Sequence, residues 1–187
     1  LSQLMINRYE VTGNVNDLND AKDTMLKTWN LFYDKKNKIL QKNPVKQNDL
    51  FVSPIDISDH NIPNGNSVFL INCKKLEAIT GESKWQNIVK ELTQSFHSFL
   101  NLHGPQMFSY IKNLDMCETL TTFTFFGNIG KCKDLHQYVK NRYLKSSVLI
   151  YKKDPKENYL VICKNQTCSN KLKNVEELKS VVKNYAI

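Results

Sequence analysis

A chain of 187 residues has room for one large domain or two small ones and can bury roughly 70% of its unfolded surface, so neither disulfides nor a metal are needed to hold it together. Its formal net charge of +8 comes from lysines scattered among asparagines, with Arg8 and Arg142 the only arginines; nucleic-acid sites gather arginine and aromatic residues on one face, so no nucleic-acid partner is expected. No run is long enough to span a bilayer, the opening Leu-Ser-Gln-Leu-Met-Ile-Asn-Arg-Tyr lacks the charge-then-apolar order of a secretory leader, and the five cysteines are odd in number and unevenly spaced. The expectation is no membrane partner and a reducing, cytoplasmic location.

The first segment reads as helix from its first residue, with Leu1, Leu4, Met5 and Tyr9 close to the 3.6-residue period and no N-cap before them. A chain that opens in mid-pattern is expected to be a piece of something longer. Thr12-Gly13 stops this helix, the glycine serving as a left-handed terminal residue. A second helix follows with Leu18, Ala21, Met25, Trp29 and Phe32 on one face. The pattern then recurs: a helix over 68–79, a Thr80-Gly81 stop, and a helix carrying Trp85, Ile88, Leu92, Phe96 and Phe99 in register with the earlier five. Two helix–Thr-Gly–helix units with matching apolar faces predict an array of antiparallel helical hairpins. Val68, Phe69, Leu70, Ile71, Cys73 and Leu76 make the third helix apolar almost all round, as befits an inner helix covered on both sides.

Between the repeats, residues 35–58 form a polar connector with apolar touches at Ile39-Leu40 and Leu50-Phe51-Val52, which predicts a short hairpin or an ordered functional loop. His103-Gly104-Pro105 breaks the fourth helix, and residues 106–114 read as a short further one. From Thr119 the grammar changes. Strands are predicted at 122–126, 147–151 and 159–163. A helix between the first two, with Leu135, Tyr138, Val139, Arg142 and Tyr143 near one face, makes those strands a parallel pair. Asn174-Val175-Glu176-Glu177 is a capping-box variant opening a last helix, whose face is Val175, Leu178, Val182 and Tyr185. The predicted fold is α+β: helical hairpins over residues 1–115, then a small three-stranded, mostly parallel α/β unit over 116–187.

Asp56-Ile-Ser-Asp-His-Asn-Ile-Pro-Asn-Gly-Asn-Ser67 is the stretch most suited to a site. Pro63 fixes φ, Gly65 frees it, and Asn66 or Ser67 can cap a helix beginning at Val68. Asp56 and Asp59 are a close carboxylate pair in a turn-rich loop, with His60, Asn64, Asn66 and Ser67 as candidate binding groups.

Asp59-His60-Asn61-Ile62-Pro63-Asn64-Gly65-Asn66-Ser67-Val68 resembles the Asp-Gly-Ala-x-Pro-Ser-Gly-Asn-Ser-Val signature of the bacterial thioredoxin-domain proteins related to spermatogenesis-associated protein 20. The order that follows is similar: a helix ending in Thr-Gly, then Trp85, then a strand–helix–strand unit. Tyr159-Leu160-Val161-Ile162-Cys163-Lys164-Asn165-Gln166-Thr167-Cys168 resembles that family's closing Tyr-x-Cys-x-Asn-x-Thr-Cys stretch. The resemblance implies a thioredoxin-like domain followed by an (α/α) toroid similar to six-hairpin glycosidases and sugar epimerases. This chain would be the C-terminal part of it, about two hairpins of six. His60, Asn61 and Asn64 depart from the family's Gly, Ala and Ser.

On that resemblance Asp59 and Asp56 become candidate catalytic carboxylates, since toroid glycosidases use carboxylates on axial loops to protonate a leaving group and activate water. A small carbohydrate is then the implied ligand. The structural alternative, favoured on the residues, is that Asp59 and Asn66 hold the loop through bonds to backbone amides. The chain is then a fragment or remnant without turnover of its own, whose partner is the missing hairpins or another protein chain. No metal or cofactor is expected. Cys163-x4-Cys168 has neither redox CxxC nor zinc spacing, so a reduced, partly buried pair is expected, with a reversible redox disulfide as the lesser alternative. Asn165-Gln166-Thr167 is a sequon by chance, and Gly127-x-x-Gly130 reads as a turn rather than a phosphate cradle.

Overall fold

The computed structural model describes residues 1–46, 54–142 and 146–185, the last three as backbone only. Leu50-Phe51-Val52, Tyr143 and the Tyr185 side chain lie outside the described set. The fold is α+β, with seven α-helices, a two-stranded sheet and a four-stranded mixed sheet among the described residues. The chain divides into two compact units, one of Leu1–Ile6 with Val15–Asp115 and one of Asn7–Asn14 with Met116–Ile187.

The first unit is helical. Both Thr-Gly stops act as expected: α1 (Ser2–Thr12) ends at Gly13 with φ +69°, and α3 (Gly65–Thr80) ends at Gly81 with φ +69°. In each, the glycine N–H donates to the carbonyl four residues back, Tyr9 or Glu77. On α2 (Val15–Phe32) Ala21 and Met25 are buried, and on α4 (Ser83–His103) Ile88 and Leu92 occupy the matching places, flanked by Trp85 and Phe96. α3 lies against both helices and buries Phe69, Leu70, Ile71, Cys73, Leu76 and Ile79, as its nearly uniform apolar surface requires. Only part of the face expected of α1 is buried, Tyr9 among its members. Leu1 and Leu4 are exposed, and the buried face is Ile6, Tyr9 and Glu10.

The connector opens with a hairpin of β1 (Tyr33–Asp34) and β2 (Ile39–Leu40), paired antiparallel. Its return limb supplies donors to the end of α2, Gln41 N to Phe32 O at 2.9 Å and Val45 N to Leu31 O at 2.9 Å, covering carbonyls that a helix terminus leaves open. A 3-10 turn over Gly104–Gln106, with Pro105 inside it, separates α4 from α5 (Phe108–Thr119), which starts later and runs longer than the sequence suggests.

The second unit is a sheet of order β4-β3-β5-β6, with β3 Thr121–Phe126, β4 Ser147–Lys152, β5 Tyr159–Lys164 and β6 Thr167–Cys168. β3 and β4 are parallel, joined through α6 (Lys133–Lys140) as expected. The three-stranded, mostly parallel expectation is corrected: β3 with β5 and β5 with β6 are both antiparallel. The link from β4 to β5 is too short for the crossover of a dozen or more residues that a parallel neighbour needs. β6 exists because the chain folds back at Asn165 and Gln166, with φ of +50° and +64°. Phe123, Phe125, Leu135, Val139, Leu160, Ile162 and Leu178 form the core of this unit. Arg142 falls past the end of α6 and stacks on Tyr138, 4.4 Å from the ring centroid. α7 (Val175–Tyr185) opens with half of the predicted box: Glu177 N donates to Asn174 Oδ1 at 2.9 Å, while the Glu177 carboxylate accepts from the Asn174 side chain at 2.8 Å and from Lys173 N at 2.7 Å.

Candidate functional site

Asn64, rather than Asn66 or Ser67, caps α3. Its Oδ1 accepts from Asn66 N at 2.9 Å and Ser67 N at 3.3 Å, and its Nδ2 donates to Asp56 O at 2.7 Å. The helix therefore begins at Gly65, which sits in a helical turn without a positive φ and has open space where a Cβ would go. Asn66 is buried and uses its amide as a substitute strand. Leu40 N donates to its Oδ1 and its Nδ2 donates to Leu40 O, both at 2.9 Å, with a further bond to Asp56 O at 3.2 Å. Ser67 is fully buried, and its carbonyl accepts from Asn113 Nδ2 at 2.9 Å.

Asp59 ties the loop to a distant helix. Its Oδ1 accepts from Asn64 N at 2.7 Å and from the Ser109 hydroxyl, and its Oδ2 accepts from Ser109 N. Asp59 N donates in turn to Gln106 O at 2.6 Å. The carboxylate thus caps the first turn of α5, where it also meets the positive end of the helix dipole. Burial alone would raise its pKa. The Ser109 hydroxyl and amide, the Asn64 amide and the nearby His60 together outweigh burial and hold it below the usual carboxylate range.

Asp56 faces a different environment. Its Oδ2 lies 2.8 Å from Lys42 Nζ and its Oδ1 3.8 Å from His60 Nε2, with His60 itself 72% exposed. Asp56 lines a cavity of about 360 Å³ to which Phe32, Leu40 and Phe69 contribute apolar surface and Gln41, Lys42 and Asn66 polar groups. Asp59, His60, Asn64 and Ser67 do not line it. The two carboxylates that the sequence pairs are thus separated in role: one is engaged in amide and hydroxyl bonds, the other is ion-paired at a cavity. Ser109, Gln106, Lys42 and Asn113 are absent from the sequence reading. A serine one place inside a helix start is the only local hint, and it does not single out a partner fifty residues away.

In the sheet unit, Cys163 and Cys168 are joined by a disulfide. The expectation of a reduced pair is corrected, because the β5–β6 register sets the two residues directly opposite each other. The Gly127–Gly130 turn offers no phosphate cradle: Asn128 N donates to Asn158 Oδ1 and Gly130 N to Asn128 Oδ1, both at 2.8 Å. No helix among the described residues is long and apolar enough to cross a membrane.

Neither a protein-family model nor a curated protein matches this sequence.

Proposed function

We propose that this chain is an interaction or structural module without turnover of its own, working in the cytoplasm as the C-terminal portion of a thioredoxin-domain and six-hairpin-toroid protein of the kind its motifs resemble. The observation that carries this reading is the Asp59 carboxylate, both of whose oxygens accept bonds from the loop and from α5. A general acid or nucleophile needs an oxygen directed at its substrate. The matched apolar faces of α2 and α4, with α3 between them, support a partial toroid. Its partner is then a further helical hairpin, received by exposed apolar side chains such as Leu1, Leu4, Phe108 and Ile111.

The test is Asp59→Asn. A side-chain amide accepts only at its single oxygen, so at neutral pH the variant should lose about 1–2 kcal/mol of stability by denaturant titration. It should show neither binding nor turnover with a panel of mono- and disaccharides, as should the parent chain. Unchanged stability together with loss of a measurable sugar activity would overturn the reading.

The cavity beside Asp56 favours a second reading, in which the chain is part of a carbohydrate-active protein of glycosidase or epimerase type. Apolar and aromatic surface beside a few polar groups suits the alternating faces of a sugar. A carboxylate beside that surface would bind sugar hydroxyls. Asp56→Asn would then weaken sugar binding while leaving stability within about 0.5 kcal/mol of the parent.

A further inference from the structure

Cys168 is exposed and Cys163 half-buried, on the short edge hairpin of the sheet. Their Cα atoms are 4.1 Å apart, close to the ~4.5 Å spacing of directly opposed residues in a non-hydrogen-bonded antiparallel pair. Four residues separate them, and the two at the turn, Asn165 and Gln166, both have positive φ, as in a type I′ hairpin.

The hairpin is held by more than the sulfur bond. Beyond it, Ser169 N donates to Ile162 O at 2.8 Å, Ile162 N to Ser169 Oγ at 3.0 Å, and Leu160 and Leu172 exchange two backbone bonds at 2.9 Å. A cross-link over so short a loop removes less entropy from the unfolded chain than one over a long loop, so it is the weaker kind of staple. What the ladder does provide is proximity. With the bond broken, the two thiols stay opposed, ready to close again. The other cysteines sit differently: Cys73 and Cys132 are buried and Cys117 is half-buried.

We propose that Cys163 and Cys168 form a thiol–disulfide exchange site for small anionic thiols of the glutathione class, independent of the reading of the Asp59 loop. An incoming thiolate attacks the exposed Cys168 Sγ, forming a mixed disulfide and expelling Cys163 as thiolate, which takes up a proton. A second thiolate attacks the outer sulfur of the mixed disulfide, releasing the oxidised thiol dimer and leaving Cys168 as a thiol. Two thiols are thereby oxidised to one disulfide while the protein disulfide is reduced to two thiols, and the reverse sequence re-forms the bond. The net charge of +8 favours an anionic donor. In a reducing compartment, a disulfide of this kind is a responsive element rather than a fixed one.

The test equilibrates the full chain in glutathione buffers from fully oxidised to fully reduced, then quenches with acid, alkylates and reads intact mass. Two alkylatable thiols beyond those of Cys73, Cys117 and Cys132 should appear together at an intermediate ratio, with circular dichroism unchanged. In Cys163→Ser treated with oxidised glutathione, one glutathione should remain attached at Cys168, whereas the parent chain should hold none. A pair that stays bonded in fully reduced glutathione, one that never bonds in the oxidised form, or a reduction that unfolds the sheet would each overturn the proposal.

Discussion

Asn64, Asn66 and Asp59 show why one polar loop admits several readings. All three carry short side chains able to bond backbone, and only their partners distinguish a helix cap, a strand substitute and a clamp on α5. The cap was legible as a type of residue but not as a position, since Asn64, Asn66 and Ser67 each suit it. The clamp was not legible, because Ser109 is remote in sequence. Two expectations follow at this scale. The lowered carboxyl of Asp59, like that of Asp34, where burial is outweighed by donors from Lys36, Asn37 and Gln41, stabilises the fold above the unfolded-chain pKa of about 4. That contribution is lost as pH falls through the depressed folded value. The stability difference between parent and Asp59→Asn should therefore shrink steadily in denaturant titrations below pH ~4, and a difference that grows on acidification would contradict the clamp. Gly65 supplies the second. It is helical with free space at its Cβ, so Gly65→Ala should raise stability by about 0.4–1 kcal/mol by restricting the unfolded chain. At Gly127, with φ +92°, a Cβ would lie 2.4 Å from Glu157 O, and the same substitution should be strongly destabilising.

At the scale of elements, the C-terminal half of α1 has a task its sequence does not announce. β4 is an edge strand, and edge strands expose unpaired amides. Tyr151 N donates to Tyr9 Oη and Leu149 N to Glu10 Oε1, both at 3.2 Å, while Tyr151 Oη donates to Glu10 O. Side chains of a helix thus stand in for a missing strand, which is why Asn7–Asn14 belongs with the sheet unit. Burial is the main cause of the raised pKa of both Tyr9 and Tyr151, so each hydroxyl keeps its proton. Tyr9→Phe keeps the edge-on ring contact with Tyr151 but removes the acceptor. Amide exchange at Tyr151 should accelerate about tenfold for each ~1.4 kcal/mol lost, while Phe123 and Phe125 in the centre of the sheet change far less. Equal acceleration throughout the sheet would mean global destabilisation instead. α2 and α4 were legible because their apolar periods are strong. β6 was not, since two residues carry no alternation and its turn uses Asn-Gln rather than the usual Asn-Gly.

At the scale of the molecule, two opposing surface terms meet. A net charge of +8 resists self-association, whereas Leu1 and Leu4 at 80% and 58% exposure, and Phe108 and Ile111 one turn apart on α5, favour it. The lysines are scattered along the sequence, so salt at ~0.15 M, with a Debye length of about 8 Å, screens their mutual repulsion while leaving the apolar contacts intact. If these side chains await a further hairpin, the isolated chain should associate with itself as a substitute. Multi-angle light scattering should then show a mean mass that rises with protein concentration and rises further with salt. Leu4→Lys combined with Phe108→Lys should restore the monomer mass without lowering the melting temperature, because both positions are exposed. A parent chain that stays monomeric across concentration and salt would remove the apolar flank as a partner surface. An association abolished by salt instead of promoted by it would assign the contact to the charges.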